Sequence, residues 1–319
     1  MPPLGRRAAW ALAIVAVMTI GWFAFRRIDT GRVLLELRAV QPIWVALALC
    51  CFVAILPLWA LEWRLLAPRM PRNTAANMLG VTAMTSSTLN TTPFFVGEAA
   101  ALVLLVARIG VTRAEAVSIM IMDQLLVGVA KLAVLSTAAL MLTLPDWMRA
   151  GWATLAVGVV LLSALCATAV RQRDRLVVAA SRVLPPRAAL AVANVGSALE
   201  PLRSPTRGGL ALLLALSKKL AEVLAILCLQ RAFGIILPWG SAVLVLAALN
   251  LATLLPIVPG NVGVYEGAVV LVYTRLGISA EHALGVAIVQ HACYLAALAL
   301  PGYAWATAAA ASRVRTAVS

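Results

Sequence analysis

The chain has 319 residues, 63% of them hydrophobic and 12% charged, with a mean hydropathy of +0.98. That composition excludes a soluble globular domain and reads as a polytopic membrane protein. The net charge of +14 sits mostly between apolar segments, the pattern of positive-inside orientation and anionic lipid headgroups, so nucleic acid is not an expected partner.

Taken in chain order, Arg6 and Arg7 precede the apolar run 8–25, and no small-residue cleavage site precedes Arg26, so an uncleaved first span is expected. Further apolar segments cover 42–61, 76–92, 96–107, 115–144, 152–170 and 208–230, and a last region, 240–308, divides into a broken hairpin and a final span near 282–308. The 12 residues of 96–107 make about 18 Å of helix against a hydrocarbon core of roughly 30 Å. They cannot cross alone. Paired with 76–92 they predict a re-entrant hairpin with its tip at Asn90, Thr91, Thr92 and Pro93, and 242–255 with 266–276 predicts a second. All five cysteines (Cys50, Cys51, Cys166, Cys228, Cys293) lie in apolar stretches, which argues against a disulfide framework or a cysteine metal site.

The two hairpins carry a repeated pattern. TPFFVGEAA (92–100) runs into ARIGVT (107–112), and VPGNVGVYEGA (258–268) runs into TRLGIS (274–279). Arg108, Gly110, Thr112 and Ala116 match Arg275, Gly277, Ser279 and Ala283 at a constant offset of 167. Each copy places a Pro/Gly break (Pro93 and Gly97; Pro259, Gly260 and Gly263) and a glutamate inside apolar sequence, which hydrocarbon penalises unless the break lines a cavity. Seven arginines in the linker 171–207 mark it as cytoplasmic, against two acids, and counting spans from it places both termini in the cytoplasm. The loop holding Arg26, Arg27, Arg32 and Arg38 runs against that rule. Three crossings separate the hairpins, and an odd number inverts the second copy. The expected fold is therefore all-α: a polytopic integral membrane protein with about six full spans plus two re-entrant helical hairpins in an inverted-topology repeat. The first repeat covers about 76–144 and the second about 240–308 of one membrane domain.

Charges inside the spans are the candidate site. Lys131, Lys218 and Lys219, the chain's three lysines, all fall in predicted spans. There a charge costs about 2.5–3.5 kcal/mol and needs a partner or a wet cavity. Spacing suggests that Lys218 and Glu222 neutralise each other on one helix face, which leaves Lys219 unpaired. Asp123 lies two turns into its span, and Glu98 and Glu266 follow the hairpin breaks, near helix N-termini with free amide groups. In one reading the lysines line a cavity for a phosphate headgroup, with Asn261 and the hairpin N-termini adding polar contacts. In the other, Lys218–Glu222 and Lys131 with Asp123 or Glu98 are ion pairs that hold helices in register. Glu62, Arg64 and Arg231 are expected to snorkel to span ends. His291, matched with Gln124, is read as a helix contact, with a proton relay as the alternative. No metal site is expected, because only His282 accompanies it, and GNVGVYEG lacks the strand that a dinucleotide fingerprint requires. No cofactor is expected.

At these residues the chain resembles a known family. TPFFVGEAAALVLLVARIGV and LPIVPGNVGVYEGAVVLVYTRLGIS look like the two signature regions of the lysylphosphatidylglycerol synthase transmembrane family, also called flippase-like domain proteins, with likeness from about residue 8 to 310. Pro259, Gly260, Gly263 and Glu266 match a P-G-x-x-G-x-x-E pattern, Gly97 and Glu98 the family's G-E, and Arg108 its following arginine. Where the family often has Glu-Arg-x-x-Asp, this chain reads Asp123, Gln124, Leu125, Leu126, Val127. The resemblance implies a bacterial-type plasma (inner) membrane domain that moves polar-headgroup lipids between leaflets: phospholipid, aminoacyl-phospholipid, glycolipid or isoprenoid lipid. The alternative is a non-transporting subunit that anchors or presents lipid to a separate synthase or glycosyltransferase. The implied partners are membrane lipids with anionic headgroups and a lipid-modifying enzyme. No soluble domain precedes Ser319, so aminoacyl transfer within this chain is not expected, and nothing selects Glu98 or Asp123 as a catalytic base.

Overall fold

The computed structural model describes residues 29–92, 96–171, 205–254 and 258–308. The run 8–25, the break residue Pro93 and all but the ends of the linker 171–207 lie outside the described residues. Within them the chain is helical, with no strand. The helices are α1 (Thr30–Arg38), α2 (Pro42–Val53), α3 (Ile55–Leu66), α4 (Ala75–Thr91), α5 (Val96–Leu104), α6 (Arg113–Met141), α7 (Asp146–Arg171), α8 (Pro205–Ala232), α9 (Gly240–Ala252), α10 (Val264–Arg275) and α11 (Ala280–Leu298).

Among the described residues, four stretches are long and apolar enough to cross a membrane: Pro42–Leu66, Arg113–Met141, Asp146–Thr168 and Ala280–Ala308. The first joins α2 and α3 through Ala54, whose backbone stays helical. Helix α8 has 28 residues, about 42 Å at 1.5 Å per residue, but Lys218, Lys219 and Glu222 interrupt its apolar run. Val157, Val160, Leu161 and Leu165 of α7 are exposed, as are Leu140, Leu213 and Leu220. That outer surface suits hydrocarbon rather than water.

The sequence misses α1. Its start is marked by Asp29, whose carboxylate accepts from the backbone N–H groups of Gly31 and Arg32, an N-cap inside a stretch otherwise read as a charged loop.

Two pairs of short helices, α4 with α5 and α9 with α10, form hairpins. The 13 residues of α9 reach about 20 Å, and every residue from Gly240 to Asn250 is buried. The two tips meet: Pro259–Asn261 forms a 3-10 turn packed on α4, and a Cβ at Gly260 would lie 3.3 Å from the Asn90 carbonyl oxygen. Gly260 has φ +64° and Gly263 has φ +84°, conformations open to glycine at little cost.

Matched sequence positions take matched local conformations. A π-helical turn at Leu105–Ile109 ends at Gly110 with φ +85°, and α10 is followed by Gly277 with φ +87°. Thr112 then accepts from the Glu115 N–H at 3.2 Å and Ser279 from the His282 N–H at 3.3 Å, each capping the next helix. Ala116 and Ala283, one turn on, are both fully buried.

Candidate functional site

A cavity of about 320 Å³ lies between the hairpins and helices α2, α3, α6, α8 and α11, within the size range of small-ligand sites. Every candidate substrate residue except Glu266 lines it: Glu98, Asp123, Lys131, Lys218, Lys219, Glu222, Asn261 and His291. Gly260 lines it as well. Gly97 instead backs α5 against Leu89 of α4, and Pro259 opens the 3-10 turn.

On one wall, α3, α6 and α8 meet. Trp59 and Trp63, one turn apart, both donate their indole N–H to Asp123 Oδ1, at 2.9 and 2.7 Å. Lys218 Nζ lies 2.7 Å from Glu62 Oε2 and 5.6 Å from the Trp59 ring centroid. The approach to Glu62 is off hydrogen-bond alignment, so the contact is an ion pair. The side chains are 8% and 0% exposed. Such a pair gains little net stability, because desolvation offsets the Coulomb attraction, but losing one partner is costly.

These contacts correct the pairing expected from spacing. Lys218 pairs across helices with Glu62 rather than along α8 with Glu222, and Glu62 is fully buried instead of snorkelling. Lys219, expected to be unpaired, holds both oxygens of Glu222 at 2.7 and 2.9 Å and reaches Asn250 Oδ1 at 3.3 Å. Positions i and i+4 share a helix face but pair only if nothing competes, and a carboxylate on a neighbouring helix competes here. Asp123 is 2% exposed, shielded by the two indoles.

Lys131 is half-buried, and among the described residues no carboxylate comes within 4.0 Å of it, so neither Asp123 nor Glu98 is its partner. Glu98, in the first turn of α5, has a buried Oε2 with no hydrogen-bond partner. Asn250 Nδ2, Asn261 Oδ1 and His291 Nε2 are buried and likewise unpartnered. Buried polar atoms are nearly always satisfied in folded proteins, and these four residues all line the cavity, which leaves its wall with free donors and acceptors.

The opposite wall is built by α10 and α11. Glu266 Oε1 lies 2.6 Å from His291 Nδ1, and its Oε2 accepts from the Gly263 N–H at 2.7 Å, satisfying the helix start as expected. The Tyr265 ring stacks on His291 at 4.2 Å, and Gln290 donates to the Tyr265 hydroxyl at 2.9 Å.

A model of the lysylphosphatidylglycerol synthase TM region matches residues 9–302. The chain belongs to the lysylphosphatidylglycerol synthase transmembrane family. No curated protein and no solved structure matches it. Membership places it among membrane domains linked to lipid modification or flipping. Both sequence regions that carry the resemblance, around Gly97–Glu98 and around Pro259–Glu266, border the cavity in this family member.

Sequence reasoning did not find Trp59, Trp63, Asn250 and Tyr265 as parts of this site. The signals were two tryptophans four residues apart flanking Glu62, and a lone asparagine in the apolar run of α9.

Proposed function

We propose that the protein moves a polar-headgroup lipid between the leaflets of a plasma (inner) membrane, the cavity receiving an anionic headgroup. The observation that carries this reading is an unpaired lysine, Lys131, in a cavity bounded by the tips of two short hairpins. The hairpins act as re-entrant elements that enter from opposite faces as an inverted repeat, which is how many secondary transporters build alternating access. Their short helices, their touching tips and their matched glycine-terminated ends support this. A cavity of about 320 Å³ suits a headgroup, with the acyl chains left in the bilayer beside exposed leucines and valines. Reconstituted in vesicles, the protein is expected to speed transbilayer movement of headgroup-labelled phosphatidylglycerol. Rates equal to those of protein-free vesicles would sink the idea.

A second reading comes from the family's description as a synthase TM region. The chain then presents lipid to a separate lipid-modifying enzyme without moving it. Stable co-purification with such an enzyme, combined with normal lipid sidedness when the protein is deleted, favours that reading.

A further inference from the structure

His291 sits at the cavity wall with its two ring nitrogens in different circumstances. Nδ1 is engaged by Glu266 Oε1 at 2.6 Å, while Nε2 is buried and has no hydrogen-bond partner. A carboxylate at Nδ1 favours the tautomer that carries its proton there, which leaves the Nε2 lone pair free. The ring cannot turn away easily, because Tyr265 stacks on it at 4.2 Å with an interplanar angle of 8°. Tyr265 is itself held by Gln290. Glu266 is tied to the start of α10 through the Gly263 N–H, so the pair joins the second hairpin to α11.

Glu98, Asp123, Lys131 and Lys218 line the same cavity, and the other ionisable groups on the elements around His291 are few. Tyr265 and Glu266 come from α10 and Tyr294 from α11, and across the cavity α8 presents Lys219 and Glu222, already paired with each other. Helix α4 carries no ionisable side chain, α2 brings only Cys50 and Cys51, and Arg32, Glu36 and Arg38 of α1 lie outside the cavity. With Nε2 bare, the Glu266–His291 pair carries one net negative charge in an apolar interior. With a proton on Nε2 the pair is neutral and presents an N–H donor to whatever enters the cavity.

We propose that the Glu266–His291 pair is a proton-binding site that couples headgroup binding to proton uptake: Nε2 takes a proton from water and donates it in a hydrogen bond to an anionic headgroup oxygen, while Nδ1 keeps its own proton on Glu266. This rests on the reading of the cavity as a headgroup site. The linkage has a definite sign. Binding that takes up a proton is favoured at low pH and weakens as pH rises, by up to about tenfold per unit.

The test uses the full chain in phosphatidylcholine nanodiscs, titrated with short-chain phosphatidylglycerol in a calorimeter. Runs in PIPES and in Tris, whose protonation heats differ, report the protons taken up per lipid bound. The expected result is uptake approaching about one proton in the pH range where affinity falls. His291→Asn is expected to abolish the uptake, and Glu266→Gln, which still accepts from Nδ1, to shift it to lower pH. Thermal melts of both variants check folding. Wild-type binding without uptake, or uptake surviving in His291→Asn, overturns the coupling and leaves the headgroup site standing. Absence of both binding and transbilayer movement in the wild type overturns the headgroup reading itself, and the coupling with it.

Discussion

Lys218 of α8 holds Glu62 of α3 at 2.7 Å with both side chains almost wholly removed from solvent. The two helices pack along their length, and the pair fixes their register at the depth where Trp59 and Trp63 reach Asp123. Glu62→Leu or Lys218→Met alone is expected to destabilise the protein by about 3–5 kcal/mol, since each leaves a buried charge uncompensated. The double variant is expected to recover most of that loss. Thermal unfolding in detergent measures both, and a double variant no better than the singles contradicts a pairwise contact.

Asp123 depends on its indole donors. Trp63→Phe removes the 2.7 Å bond, leaving Trp59 as the remaining indole donor, and its smaller ring leaves part of a fully buried indole site empty. A loss of roughly 1–3 kcal/mol is expected. Asp123→Asn, which still accepts both indole N–H groups, is expected to melt close to the wild type.

Lys131 and Glu98 make the contrasting prediction. Neither has an ion-pair partner among the described residues, so Lys131→Gln and Glu98→Gln are expected to cost less than about 1 kcal/mol of stability. Transport of labelled phosphatidylglycerol should nevertheless slow in both. For Lys131→Gln, loss of a charge-assisted hydrogen bond worth about 1.5–3 kcal/mol weakens headgroup binding roughly tenfold or more. A large drop in melting temperature with unchanged binding would assign these residues to structure.

Two glycines separate packing from propensity. A Cβ at Gly97 would sit 2.7 Å from the Leu89 Cα, a backbone atom that cannot step aside, whereas Gly267 in α10 has nothing within 4 Å. Gly97→Ala is expected to cost about 1–3 kcal/mol by prising α5 from α4. Gly267→Ala is expected to be neutral or to gain up to about 1 kcal/mol from helix propensity. Paired melts test the contrast.

Much of this was legible in the sequence. Hydropathy located the apolar helices because a bilayer needs a minimum length of apolar residues, and the shortness of 96–107 pointed to a helix that must pair with its neighbour. Gly110 and Gly277 were matched in the sequence only as a repeat, and the structure gives both the left-handed backbone that glycine accepts at little cost. The in-span lysines and acids called for either a polar cavity or ion pairs, because charge in hydrocarbon must be answered, and the structure holds both features.

Which charge answers which was decided only by the tertiary structure. Spacing along α8 offered Glu222 to Lys218, but helix packing put Glu62 closer and passed Glu222 to Lys219. Glu62 looked like a span-end residue until α8 and α6 closed over it. His291 was one polar residue in an apolar helix until α10 brought Glu266 to Nδ1 and Tyr265 against its face. A linear chain specifies the cost of each buried charge; the partner that offsets it comes from another helix, and its identity exists only once the helices have packed.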